Sequence, residues 1–480
     1  MNDNTDRRKK SWRVFYIASC LFLLFPLLIC GGVATWFLGR QSAASAKVDL
    51  RLADLDQRGQ PVNEDSLRRS YEFNTSDQDS DAWIELGDRL ESKAFVDAAA
   101  AMPFHDSSVV VPPPGTAWPD RKPIDNFLAA WQHDLSTLLK LALDQTAANR
   151  KPIRRPIDFD NALSTPLTDT NRLRGMVRLL QLQHAVAVHD GDRKLGFDCI
   201  QAGRGLERST LNEPFMASQL IGRAIARNTN AMLMLSLQHD QLTDEQMTKI
   251  ADAMVDFDEL RETYLLALRG DRAMMLPVFT DAELANRVLD FDSPAVAKLL
   301  TRIRARDALY YLDQMQLYLD AAVSDPDRLD PDRLDPSAFR KRVSLAGDQL
   351  KSDIFASGTI TNLDHMYSYL MIPNMQSFAL VIVQQEENNR LAKLAMAVRK
   401  YQHDLDRWPT TLDQLSAIDI DLSMLQPVDE AKFGYRVDTN GDAILWGVPR
   451  SDLQVIGPDP LPVDDGEHAA NRLWVWRLSP

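Results

Sequence analysis

The sequence predicts a mainly α protein in three parts. These are a single N-terminal transmembrane helix, an irregular antiparallel helical body, and a small C-terminal α+β unit with a short antiparallel sheet. Three observations carry that prediction. Residues 14–38, VFYIASCLFLLFPLLICGGVATWFL, contain no charge. From about 81 to 407, apolar residues recur at spacings of three and four behind helix-start residues. Beyond 408 the pattern becomes short apolar runs around Asn440-Gly441.

As a helix rising ~1.5 Å per residue, the uncharged run reaches ~37 Å, enough to cross a hydrocarbon core of ~30 Å. Pro26 and Gly31-Gly32 are tolerated in lipid, and Trp12, Tyr16 and Trp36 stand near the interfaces. The arm at 1–13 sets Arg7, Arg8, Lys9, Lys10 and Arg13 against Asp3 and Asp6, a net +3. The positive-inside rule keeps that arm in the cytoplasm and sends the bulk of the chain outside the inner membrane. Residues 39–80 then form a juxtamembrane linker. Two alternatives stand beside an uncleaved anchor. Ala44-Ser45-Ala46 matches a signal-peptidase site, although the apolar core is long for a cleaved signal. Ile17-Ala18-Ser19-Cys20 matches a lipoprotein site with few apolar residues ahead of it.

Composition limits the function. The whole chain of 480 residues carries −14, and removing the +3 arm leaves −17. A surface so acidic is unsuited to phosphate backbones, which excludes nucleic acid as a main partner. Hydrophobic content of 45% and charged content of 25% are those of a globular chain. Acid is mostly Asp, 54 against 14 Glu, a bias with no basis in helix stability because Asp is the poorer helix former. Cys20 and Cys30 lie in the span, so Cys199 has no internal partner outside it and reads as a buried thiol.

The helical body is placed at 81–372. Thr243 to Gln246 form a capping box, followed by Met247, Ile250, Met254, Phe257, Tyr264 and Leu268. Asn212 with Pro214 starts another helix, whose apolar stripe is Ala217, Leu220, Ile221, Ala224, Ile225, Ala231, Met232 and Leu235. Ser293-Pro294 and Asp335-Pro336 mark further starts. Pro-rich stretches at 109–123 and 150–159 read as loops crossing the body. The repeat of Asp-Pro-Asp-Arg-Leu at 325 and 330 is a duplicated loop, too short to be an architectural unit.

The last part, 373–480, starts with a long helix after Pro373, striped by Leu391, Leu394, Ala395, Val398 and Leu405. A short helix capped by Thr411 follows, then a hairpin of 433–437 and 443–448, then a strand at 473–478 whose Trp474 and Trp476 share one face. A helix ending at Arg407-Trp408-Pro409, Thr411 to Leu415, the hairpin, Gly457-Pro458-Asp459 and Asp464-Asp465-Gly466 resemble the tail of type II secretion pseudopilins. With the stretches at 191–206 and 211–269, the chain is similar to uncharacterised membrane-anchored helical proteins of planctomycete-type bacteria. The resemblance implies a fold for the tail and leaves function open. Pilin-like processing is not implied, because no short basic leader or Glu-headed helix precedes Val14.

Candidate chemistry is sparse. Five histidines precede an aspartate: His105, His133, His189, His239 and His403. Predicted helix ends account for His189, His239 and His403, where the dipole favours a cation and Asp opens the turn. His184 and His189 are five apart, the wrong spacing for two ligands on one face. Asp438 to Asp442 lacks the glutamate of a calcium loop and reads as a hairpin. Asp459, Asp464 and Asp465 would suit Ca²⁺ or form a solvated acidic loop. Gly203-x-Gly205 lacks the third glycine of a dinucleotide site. No catalytic, cofactor-binding or metal residue is assigned. The expectation is a membrane-tethered scaffold binding other envelope proteins, with an extracytoplasmic hydrolase built from scattered Asp and His as the alternative.

Overall fold

The computed structural model describes residues 39–102, 111–147, 150–159, 168–280, 304–323, 335–356, 374–418, 426–428, 433–447 and 475–479, besides a few single positions between 284 and 372. The protein is mainly helical with a small three-stranded antiparallel sheet. Helices α1 (39–57), α2 (Glu64–Asn74), α3 (Ser80–Glu91), α4 (Lys93–Ala100), α5 (Arg121–Ala130), α6 (Gln132–Asp144) and α7 (Thr168–Asp190) come first. They are followed by α8 (Arg193–Arg208), α9 (Met216–Gln238), α10 (Asp244–Ala253) and α11 (Phe257–Thr280). Last come α12 (Arg304–Ala322), α13 (Pro336–Ala356), α14 (Asn374–Leu405), a 3₁₀ turn (Leu412–Ile418) and strands β1 (Gly434–Val437), β2 (Ala443–Trp446) and β3 (Val475–Leu478). Among the described residues no helix is long and apolar enough to cross a membrane. The expected span at 14–38 lies outside them, as do Ser293-Pro294, Asp459, Asp464, Asp465 and Trp474.

The chain divides into two compact units. The smaller comprises Met1–Gln60, Leu276–Asp313 and Ala356–Met371. Its described contacts include Phe279 against Tyr311 at 5.2 Å and Tyr310 against His365 at 4.3 Å between ring centres. Asp307 accepts the Ser368 backbone N–H at 3.2 Å.

The larger unit, Pro61–Met275, Gln314–Phe355 and Ile372–Pro480, is organised around α8. That helix packs on α6, α7 and α9, and is buried almost all round from Cys199 to Glu207. Gly191, at φ +72°, turns α7 into α8 by accepting a left-handed backbone, and Asp192 then caps α8 by accepting from Leu195 N at 3.0 Å. The expected box at Thr243 forms: Gln246 N donates to Thr243 Oγ1 at 3.3 Å, and Thr243 N to Gln246 Oε1 at 2.9 Å. The stripe behind it is buried, but it belongs to two helices. Asp256 opens the second by accepting from Glu259 N at 2.8 Å. Asp335 likewise caps α13, receiving Ser337 N at 2.9 Å.

α9 does not start at the expected Asn212. It starts at Met216, because residues 209–213 are held in turns and Gln219 Nε2 donates to the carbonyls of Thr210, Leu211 and Glu213 at 2.8, 3.2 and 2.9 Å. Ile225 and Met232 of the expected stripe are buried, but the inward face also carries Ser218, Gln219, Gly222, Arg223, Ala226, Thr229, Asn230 and Leu233, while the expected Leu220 is 40% exposed. Polar residues face inward there because hydrogen bonds and charge partners await them, a condition that apolar periodicity does not register.

The tail joins this core. α14 packs on α9 and on the sheet, and β3 packs on α9. Leu391, Leu394, Ala395, Val398, Leu445, Trp476 and Leu478 belong to one apolar cluster with Trp83, Leu138 and Leu233. Leu405, expected in the stripe, is 43% exposed at the helix end. β2 is central, with Tyr435 opposite Leu445 and Leu445 opposite Trp476. Asp438 Oδ1 closes the hairpin by accepting from Asn440 N and Asp442 N at 2.8 and 3.0 Å. Trp408 Nε1 donates to Gly441 O at 2.7 Å and Tyr435 Oη to Pro409 O at 2.6 Å, so the Arg-Trp-Pro corner ties the hairpin to the helix end.

Candidate functional site

The histidine–aspartate pairs are helix-end fasteners in the described part of the chain. α9 ends with His239 as its cap and Asp240 in the left-handed region at φ +51°. Gln241 N reaches back to Ser236 O at 2.9 Å, and Asp240 N to Leu237 O at 3.4 Å, the two bonds of a Schellman motif. Burial lowers the His239 pKa. Asp134 is buried and accepts from Arg89 Nε at 2.5 Å, and its neighbour His133 is exposed. His105 lies outside the described residues.

Two histidines have both ring nitrogens engaged. His189 Nε2 donates to Thr116 O at 2.9 Å, leaving Nδ1 to accept from Arg121 Nη1 at 3.1 Å. Arg121 also grips both oxygens of Asp190 at 2.6 and 2.7 Å, which raises its own pKa and lowers that of Asp190. The group anchors the 111–120 loop on the end of α7. His403 lies between Asp244 Oδ1, 2.8 Å from Nδ1, and Asp240 Oδ1, 2.7 Å from Nε2. These carboxylates stand at opposite ring nitrogens and do not converge on one point, as metal ligands must. Beside them Arg399, stacked 4.7 Å over Trp408, donates to Leu237 O at 2.6 Å and Ser479 O at 2.7 Å. Among the described residues no three His, Cys, Asp or Glu side chains are grouped to hold a metal ion.

His184 differs in kind. It is buried on α7, with Nε2 2.8 Å from Ser236 Oγ. Loss of hydration brings its pKa down to about 3, so the ring is neutral in the fold. In the unfolded chain it would titrate near its ordinary 6.5. Protonation therefore favours unfolding. The stabilisation is complete above that value and lost as pH falls toward the folded pKa. Between pH ~6.5 and ~4.5 this group alone removes ~2.3 kcal/mol. His184→Gln should flatten the pH dependence by about that amount in urea unfolding. An unchanged slope would show that the ring is hydrated.

The Gly203-x-Gly205 pair serves packing. A Cβ on Gly205 would stand 1.8 Å from the Ala142 carbonyl oxygen, so α6 and α8 meet backbone to backbone. Gly205→Ala should force the helices apart at ~3 kcal/mol, measured as a lowered urea midpoint. An unchanged midpoint would refute that contact. Cys199 is buried, and burial pushes its thiol pKa up, away from reactivity.

A buried polar layer between α8 and α9, formed by Arg204, Glu207, Arg223 and Asn230, was not expected from the sequence. The available signal was polar residues at helical spacing within apolar helices. The fold and these groups together define a helical protein whose titratable pairs fasten helix ends. The chain matches no family model, no curated protein and no solved structure.

Proposed function

We propose that the chain is a membrane-tethered extracytoplasmic scaffold that binds other envelope proteins. The tether is the uncharged run at 14–38 behind its basic arm, in the inner membrane with the N-terminus in the cytoplasm. The 81–372 body and the pseudopilin-like tail at 373–480 are its outward parts. The observation that carries a binding role over a catalytic one is the engagement of His189 and His403. Their ring nitrogens all have protein partners, which leaves none to accept a substrate proton.

A second reading, an extracytoplasmic hydrolase, draws on the approach of two pairs, His239-Asp240 and His403-Asp404, at one end of α9. Topology is tested first. A reporter active only in the cytoplasm, fused at Pro480, should be silent, and an active fusion refutes the tether. Detergent-solubilised protein should then co-purify with envelope proteins at fixed stoichiometry. Isolation without any partner, together with ester or phosphoester hydrolysis abolished by His403→Gln, would establish the hydrolase.

A further inference from the structure

Two arginines share one carboxylate inside the helical core. Arg204 and Glu207 on α8 are wholly buried, and Arg223 on α9 is 4% exposed. Glu207 Oε2 lies 3.3 Å from Arg204 Nη1, and its Oε1 3.6 Å from Arg223 Nη1. Arg204 Nη2 also donates to Asn230 Oδ1. The other charges acting on the two arginines are Arg208 and Glu259, which pair with each other at 3.0 Å. Among the described residues three guanidinium groups thus face two carboxylates.

The hydrogen-bond inventory is unbalanced in the same sense. Arg204 Nε, Arg223 Nη2 and Asn230 Nδ2 are buried donors with no acceptor among the described residues. The unmatched acceptor beside them is Gln219 Oε1, since Glu207 Oε1 faces Arg223 Nη1. A guanidinium without counter-charge in low dielectric is strongly unfavourable, and water can satisfy donors but cannot neutralise the excess charge.

We propose that Arg204, Arg223 and Asn230 bind a small inorganic anion of halide type between α8 and α9. Burial selects a monoatomic ion that sheds water readily, so chloride and bromide should bind and fluoride and gluconate should not. The full-length protein in detergent should show a saturable rise in unfolding midpoint when gluconate is exchanged for chloride or bromide at constant ionic strength. Arg223→Met should abolish the rise.

Asn230→Asp provides a test that does not depend on Arg223→Met folding. It places a carboxylate beside Arg204, supplies the missing charge, and should raise the midpoint in gluconate while removing the response to chloride. Equal wild-type midpoints in chloride and gluconate would mean that the cluster holds water only and would overturn the proposal. A chloride response that survives in Asn230→Asp would also overturn it, because the ion would then sit elsewhere.

Discussion

Glu207→Leu is expected to destabilise the protein by ~3–5 kcal/mol, the usual result of removing one partner from a buried ion pair. Glu207 is the carboxylate that both Arg204 and Arg223 approach. Its loss leaves two guanidiniums facing each other in a region closed to solvent. Size is not the issue, since Leu fills a similar volume. The cost is electrostatic. It should therefore be recovered in large part by replacing Arg204 and Arg223 with Met in the same chain, because a layer without charge needs no counter-charge. Urea unfolding of the single and triple variants measures this. A loss below ~1 kcal/mol for the single change would show that the arginines reach water or another acceptor.

Trp476→Ala should cost ~3–5 kcal/mol, as truncation of a buried aromatic does. Trp476 is 1% exposed on the edge strand β3, opposite Leu445, and belongs to the cluster shared by α14 and the helical body. Three four-residue strands cannot hold together without that packing. The expected signature is faster backbone hydrogen exchange in β1, β2 and β3, and in the end of α9, where Ser479 N donates to Gln238 O. Exchange unchanged in the sheet would show that it is held by the Trp408 and Tyr435 hydrogen bonds instead.

Local chemistry was legible in the residues. Thr243 with Gln246, Asp335 before Pro336, the long helix after Pro373 and the hairpin around Asn440-Gly441 each announce a backbone conformation within a few positions, and each forms. The use of His-Asp at helix ends was also legible, because capping is a local event. Where capping and tertiary demand disagreed, tertiary demand prevailed. Asn212 lost the start of α9 to the turn that Gln219 holds, and its side chain donates to Asn74 O at 2.8 Å instead.

By itself, the sequence determined the helical class, the short sheet, the acidic balance of the chain and the uncharged run expected to tether it. These follow from propensity, periodicity and charge, which act over one to four residues. Only the tertiary structure decided which face of α9 turns inward, that Gly205 lies against the Ala142 carbonyl, and that Asp240 and Asp244 flank His403 across more than 150 positions. The physical reason is that burying a polar group is unfavourable or favourable according to its partner, and the partner is supplied by chain that is remote in sequence.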